Sequence, residues 1–386
     1  MVFWRAALIN RSKGLNSELE EKTERIAAML GREDLDAVLL NAQHNFAWLT
    51  GGGSNGVDLS RDNGIASLLV ARNGRRFVLA NVIEIDRMLA EEISADDFEA
   101  VSYPWQEEKS VATLILEKAG SVLKPGSLIG SDMPIGDAAP IVENRISACR
   151  YQLTEEELER FRSLGRDAGV ALGHVIGKLT PGETELQISE KMRHELALGG
   201  MSSVVTLVAA DERIKKFRHP VPTENTWRKT LLIVTCAKRA GLIASLSRMV
   251  CVGEVPDELK MRTDAAAYVN AKMLNATVAG AKGADVYAAA ASAYAERGFA
   301  DEINRHHQGG AAGYKTREWV AHPASAEVVH YDQAFAWNPS ITGTKIEETC
   351  IATEGGIDVI TTSPDFPRIA SVVDGREYFS PGIITI

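Results

Sequence analysis

Apolar and polar positions along this chain follow two different periods. From Ser17 to Leu30 charged residues surround Leu19, Ile26, Ala27 and Leu30 on one side, a spacing that predicts an amphipathic helix. Short apolar runs follow at Ala37-Val38-Leu39-Leu40, Ala66 to Val70 and Phe77 to Ala80. Turn residues such as Arg72-Asn73-Gly74 separate them, so they predict strands. With helices expected over Glu84 to Ile93 and Ser110 to Ala119, the first 150 or so residues read as a mixed α/β domain.

Next, Thr154 stands three residues before Glu157, the pattern of a capping box. The helix it opens is expected to run to about Leu179, where Thr180-Pro181-Gly182 breaks it. A second helix is expected from Thr184 to Leu198, stopped by Gly199-Gly200. The domain boundary falls just before this pair, dividing the chain into 1–152 and 153–386. Strands are then expected at Ser203 to Ala209, Thr230 to Cys236 and Arg248 to Val252. Ala-rich helices follow at Pro256 to Ala279 and Ala284 to Gly298, with further strands at Ala334 to Trp337, Glu348 to Ala352 and Asp358 to Thr361. The second half is therefore α+β, a largely antiparallel sheet with helices packed on it.

Composition narrows the function classes. A net charge of −10 argues against a nucleic-acid or anionic-membrane surface. No apolar run approaches the roughly 18 residues of a membrane span. Cys149, Cys236, Cys251 and Cys350 show no CxxC spacing, which points away from a zinc ribbon or disulfide framework and toward a reducing compartment. The start, Met1 to Asn10, lacks the apolar core of a leader, so a cytoplasmic protein is expected.

Candidate chemistry concentrates between Asn304 and Thr349. His306-His307 lead into the small-residue run Gly309-Gly310-Ala311-Ala312-Gly313, and Arg317-Glu318 follow. Small residues let backbone approach backbone or ligand, while His, Arg and Glu supply a base, a fork of donors and an acceptor. The same stretch also reads as a Gly-rich turn between strands. If His306 and His307 lie on a strand they face opposite ways, and His307 is the one expected in the site.

Five segments in order resemble the pita-bread superfamily of creatinase, aminopeptidase P and prolidase. Leu35 to Leu40 with Phe46-Ala47-Trp48-Leu49-Thr50-Gly51-Gly52 is similar to its creatinase-type N-terminal domain. Thr180-Pro181-Gly182-Glu183-Thr184-Glu185 resembles its helix link, and Arg218-His219-Pro220 its His-bearing loop. Asn338-Pro339-Ser340-Ile341 and Gly343 to Thr349 resemble its closing segments. A branch found in bacteria and plants, labelled Xaa-Pro aminopeptidase-like, is closer still, with R-H-P-x-P-T, H-H-Q-G-G-x-x-G-Y-x-x-R-E and W-N-P-S-I-T-G-T-K. The resemblance implies a pita-bread domain behind a creatinase-type domain. It also implies a homodimer in which Trp48 and His44 reach the partner's site.

The superfamily's peptidases hold two ions with two Asp, one His and two Glu. The resemblance places these positions on Thr235, Ser245, Gly310, Asn338 and Glu347, of which Glu347 alone is a ligand type. Bridging carboxylates are missing, so neither metal nor cofactor is expected. Creatinase supplies the precedent of a metal-free member. The resemblance puts its catalytic His on His219 and its Arg-Glu pair on Arg317-Glu318, but the Glu that orients its His on Ser247.

On this basis the expected catalytic residues are His219, His307 and Glu347, and the expected substrate contacts are Arg317, Glu318, Asn338, Arg248 and Lys345. Thr235, Ser245 and Gly310 are expected to line the cavity, and Cys236 to be a buried hydrophobe. The leading reading is metal-independent, creatinase-like hydrolysis of a C–N bond in a small carboxylated molecule. One rival is an inert binding or scaffold protein, as in the histone chaperone whose large subunit keeps this fold without metals. Another is a metallopeptidase-like hydrolase with a migrated site on His219, His306 or His307, Glu318 and Glu347.

Overall fold

The computed structural model describes residues 11–386, with side chains from residue 17 onward. The start of the chain, Met1 to Asn10, read above for a leader, lies outside the described residues. The chain divides into two compact units, one ending at Arg150 and the other running Tyr151–Ile386.

In the first unit the helix Arg11–Arg32 precedes a five-stranded sheet. Its strands are β1 (Ala37–Ala42), β2 (Asn63–Ala71), β3 (Arg76–Asn81), β4 (Glu99–Tyr103) and β5 (Ile129–Ser131), in the order β4-β3-β2-β1-β5. The three central strands are the apolar runs, because they are buried on both faces. The edge strands β4 and β5 join in parallel and carry no apolar run, so the pattern does not reveal them. The helix expected over Ser110 to Ala119 is two helices, Trp105–Ser110 and Leu114–Ser121, with β-branched Val111 extended at the break.

This unit corrects one expectation. The Trp48 side chain is fully buried, with the Lys22 amine 5.7 Å from its ring centre, so it presents nothing to a partner. His44 is tied to Glu143 at 3.0 Å within the same unit.

The second unit opens on the expected capping box: the Thr154 hydroxyl accepts the Glu157 N–H at 3.3 Å, and the Glu157 carboxylate accepts the Thr154 N–H at 2.8 Å. The helix Glu155–Ile176 follows and ends three residues short of Leu179. Thr184 and Gln187 form a second box at the start of Glu185–Leu198. Then β6 (Ser202–Ala210), β7 (Thr230–Arg239) and β8 (Leu242–Cys251) pair antiparallel in sequence. β8 starts six residues before the expected Arg248. Its first half, Leu242 to Ser247, mixes small polar with apolar residues, yet every position is buried.

A second sheet holds β9 (Gly309–Ala312), β10 (Trp319–Val320), β11 (Gln333–Trp337), β14 (Glu348–Thr353) and β15 (Gly356–Val359), in the order β10-β9-β11-β14-β15. Between β11 and β14 the short hairpin β12 (Ser340–Ile341) and β13 (Thr344–Lys345) turns at Gly343. The chain closes with the hairpin β16 (Arg368–Val373) and β17 (Arg376–Pro381), and with β18 (Ile383–Thr385) alongside β8. The helices Asp257–Ala276 and Gly283–Glu296 cover the second sheet, burying Val286, Tyr294, Trp319, Phe335 and Trp337 between them. This is the expected α+β arrangement.

The small-residue run is itself a strand, β9, and the reason is steric. Gly309 has φ +99°, and a Cβ there would stand 2.1 Å from the Ala336 carbonyl oxygen; at Gly310 a Cβ would stand 1.9 Å from that of Trp319. Only glycine lets β10 and β11 close on β9 from both sides.

Candidate functional site

His219 lies in the loop after the short helix Glu212–Lys216, and its neighbour Arg218 fixes that loop. The Arg218 guanidinium bonds the Glu302 carboxylate, the Thr342 hydroxyl at 3.0 Å and the Ser340 hydroxyl at 3.3 Å, while Thr342 donates to Glu302 at 2.7 Å. These contacts tie the His219 loop to the β12–β13 turn and to the 3-10 turn Ala300–Asn304, just before His306. A buried chain positions His306 from the other side. Tyr294 donates to Gln308 Oε1 at 2.8 Å, and Gln308 Nε2 donates to the His306 carbonyl at 2.6 Å.

His306 and His307 precede β9 rather than lying in it, so they do not alternate. Their rings stack at 4.3 Å between centres and 26° between planes. The His219 ring meets His306 edge-on at 5.0 Å, with the two Nε2 atoms 3.1 Å apart. All three histidines therefore share one cluster, which His219 and His307 open to solvent while His306 is half-buried. The expectation that only His307 faces the site is corrected.

Loss of solvent lowers the basicity of all three rings, the Lys345 charge lowers all three further, and the Arg317 charge lowers His307. His306 falls to about 3, with desolvation ahead of Lys345, and His307 to about 4, with desolvation ahead of Arg317. His219 is lowered by desolvation and then by Lys345. At neutral pH the cluster is a set of uncharged imidazoles, with one of the facing His219 and His306 Nε2 atoms accepting the other's N–H and His307 Nδ1 accepting the Gly309 N–H.

Glu347, 2 % exposed, sits between two cations: Arg317 Nη2 is 2.9 Å from Oε1, and Lys345 Nζ is 2.8 Å from Oε2. Burial alone would raise its carboxyl, but Lys345 and then Arg317 bring it down to about 2. Backbone pairing puts Glu347 beside β8, where the Ser247 N–H donates to its carbonyl at 3.1 Å. The Ser245 hydroxyl lies 3.4 Å from Arg317 and 3.3 Å from Cys236 Sγ. The Cys236 thiol is pushed up by burial and then by Glu347, a setting for an inert thiol.

Two expected substrate contacts lie elsewhere. Arg248, 1 % exposed, spends its guanidinium on Glu348 at 2.9 Å, the Thr361 carbonyl at 2.7 Å and the Ser363 hydroxyl at 3.1 Å, leaving nothing for a substrate. Glu318 turns back on its own loop and accepts the Tyr314 N–H at 3.2 Å, which fixes the loop carrying Arg317. Asn338 is buried, its N–H donates to the Gln308 carbonyl at 3.1 Å, and its Oδ1 has no protein partner among the described residues.

The positions that the resemblance assigns to metal ligands do not fit a two-ion centre. Thr235 is a neutral hydroxyl bonded to Ser203 at 3.2 Å, and Ser245 is neutral as well. Gly310 has no room for a side chain. Glu347 is already shared by two cations that an incoming ion would have to displace.

Among the described residues no helix is long and apolar enough to cross a membrane. The comparisons with known proteins cover both units. Residues 22–134 match the Creatinase/Prolidase N-terminal domain, and residues 159–356 match Metallopeptidase family M24. None of the curated proteins matches the chain. Among solved structures it is similar to an Xaa-Pro dipeptidase from Bacillus anthracis at 19% identity and TM-score 0.75, over 95% of this chain and 100% of that one. A prolidase from Pyrococcus horikoshii aligns at 18% identity and TM-score 0.74, over 89% and 98%. The N-terminal domain of the FACT complex subunit SPT16 from chickpea aligns at 12% identity and TM-score 0.68, over 89% and 96%. The last of these carries the same fold in a protein not named as a peptidase. On the family match the chain belongs to metallopeptidase family M24, in the creatinase, aminopeptidase P and prolidase superfamily, as a pita-bread domain with a creatinase-type N-terminal domain.

Proposed function

We propose that this chain hydrolyses a C–N bond in a small carboxylated molecule, in the manner of creatinase, with imidazole instead of a two-ion centre activating water. The charge balance at Glu347 supports this most. Two cations against one carboxylate leave a positive charge in a buried setting, and Arg317 Nε has no acceptor among the described residues. A buried charge and a buried donor without partners are costly, so an anion brought by a substrate would be held there. The solved relatives named dipeptidase and prolidase support the bond type.

In this reading His219, uncharged and open to solvent, takes a proton as a water oxygen bonds to the amide or amidine carbon. The C–N bond then breaks, its electron pair stays on nitrogen, and the imidazolium returns the proton to that nitrogen. His306, with Nε2 3.1 Å from that of His219, orients the working ring. Arg317 and Lys345 grip the carboxylate, with Glu347 holding both cations in place. Without a Lewis acid the substrate must break readily, which favours guanidino, ureido and activated amide acids over ordinary peptides.

The test is turnover by chelator-treated protein on a panel of guanidino, ureido and N-acyl amino acids. His219→Ala is expected to lower kcat by about 10²- to 10⁴-fold with folding unchanged. Full activity in that variant on the true substrate would remove the central claim. Binding of the acids with no turnover anywhere on the panel would favour an inert binding protein.

A further inference from the structure

We infer that His219, His306 and His307 form a site for one divalent transition ion of the zinc, cobalt or nickel class, separate in its ligands from the carboxylate set of the M24 peptidases. One ligand-capable atom from each of the three lies within 4.8 Å of the others. The His219 and His306 Nε2 atoms face each other at 3.1 Å. Two imidazole nitrogens on one ion, each bonded at about 2.0–2.1 Å and subtending about 90–110°, stand about 2.8–3.4 Å apart. The observed separation falls inside that range. Without an ion the same pair must share a proton between two like atoms.

Imidazole donors select this class of ion over magnesium or calcium, which take oxygen. His219 and His307 lie open to solvent, which gives an ion an entry path and leaves positions for water. Three features set the strength of the site. Lys345 and Arg317 repel a cation, the two charges that already depress the histidines. His306 Nδ1 is buried without a protein partner among the described residues, so it lacks there the acceptor that orients a ligating ring in a tight site. The His307 Nδ1 accepts the Gly309 N–H at 3.3 Å, and ligation through its Nε2 gives up that weak bond. The site is therefore weaker than a structural zinc centre, with His307 its least committed ligand.

An ion here would occupy the electron pair with which His219 accepts a proton. Occupancy therefore opposes the metal-free hydrolysis proposed above, and the histidine cluster becomes a point at which transition metal turns the activity down.

The experiment is Co²⁺ titration of chelator-treated full-length protein, followed by its visible absorption and by equilibrium dialysis, without substrate. One ion per chain is expected. Affinity should fall at least tenfold in His219→Ala and in His306→Gln, fall less in His307→Ala, and stay unchanged in His174→Ala. Circular dichroism would verify that each variant is folded. Binding well below one ion per chain, or binding that His306→Gln leaves intact, overturns the inference and leaves the proposed hydrolysis standing. Turnover by the chelated protein is measured separately. If Zn²⁺ binds with the expected ligand dependence and turnover falls as the site fills, the switch is supported. If turnover appears only with the ion bound, the switch and the metal-free mechanism both fail.

Discussion

Glu347→Gln tests the charge arrangement on which the site reading depends. The substitution keeps shape and removes one charge, leaving the Lys345 and Arg317 side chains, 6 % and 12 % exposed, without their shared counter-ion. The carboxyl is held at about 2 against an ordinary 4.5, a gap worth about 3 kcal/mol. Breaking a buried ion pair by removing one partner costs about 3–5 kcal/mol, so both routes give about 3 kcal/mol. Because the chain has two compact units, a single denaturation midpoint is the wrong readout. Hydrogen exchange of peptides spanning 334–353 reads the affected segment directly, and about 3 kcal/mol corresponds to roughly a hundredfold faster exchange. The pH sign follows from the depressed carboxyl: this stabilisation is fully present above 4.5 and is lost as pH falls from 4.5 toward 2. Exchange accelerated less than about threefold, or an effect that persists unchanged at pH 2, would show that Glu347 does not anchor the two cations.

Two further substitutions probe placement. Arg218→Ala removes the clamp between the His219 loop and the segment before His306, so kcat on the true substrate is expected to fall about 100-fold with KM little changed; an equal rise in KM would make Arg218 a binding residue instead. Gly310→Ala puts a Cβ 1.9 Å from the Trp319 carbonyl oxygen and should cost about 1–3 kcal/mol, read as faster exchange in the peptide 309–320 and not elsewhere.

The fold was legible where local chemistry alone decides it. Thr154 announces its helix because a capping box closes within four residues. The apolar runs in β1 to β3 announce strands because the sheet buries both their faces. What stayed hidden is decided by partners far along the chain. The first half of β8, with Ser245 and Ser247, shows no apolar run, and it is a strand because β7 pairs with it along its whole length. Arg248 and Lys345 look alike in sequence, yet Glu348 captures one and Glu347 the other, on neighbouring residues. The stacking of His306 on His307 is not legible in the sequence, because opposite faces follow only if the two lie on a strand, and they precede β9. Both precede Gly309, the first residue of β9, and their rings stack on each other.

Lys345 and Arg317 both contact Glu347, but they do not carry equal weight in the proposed chemistry, and the difference can be measured. Arg317 has a fork of donors, one of them without an acceptor among the described residues, so it can hold Glu347 and a substrate carboxylate together. Lys345 is a single point charge whose effect reaches all three histidines and adds to the larger effect of desolvation in lowering their basicity. Arg317→Ala should therefore raise KM for carboxylated substrates by about 10- to 100-fold, the worth of one or two charged hydrogen bonds, and should leave an uncharged analogue of the substrate unaffected. Lys345→Met should leave Glu347 and Arg317 as a balanced pair, raise KM for carboxylated substrates by removing the surplus positive charge, and lower kcat on charged and uncharged substrates alike. If both variants lose binding equally and neither changes kcat, the two cations form one undifferentiated anion sink. The cluster would then be an acid-binding pocket beside histidines that do no chemistry.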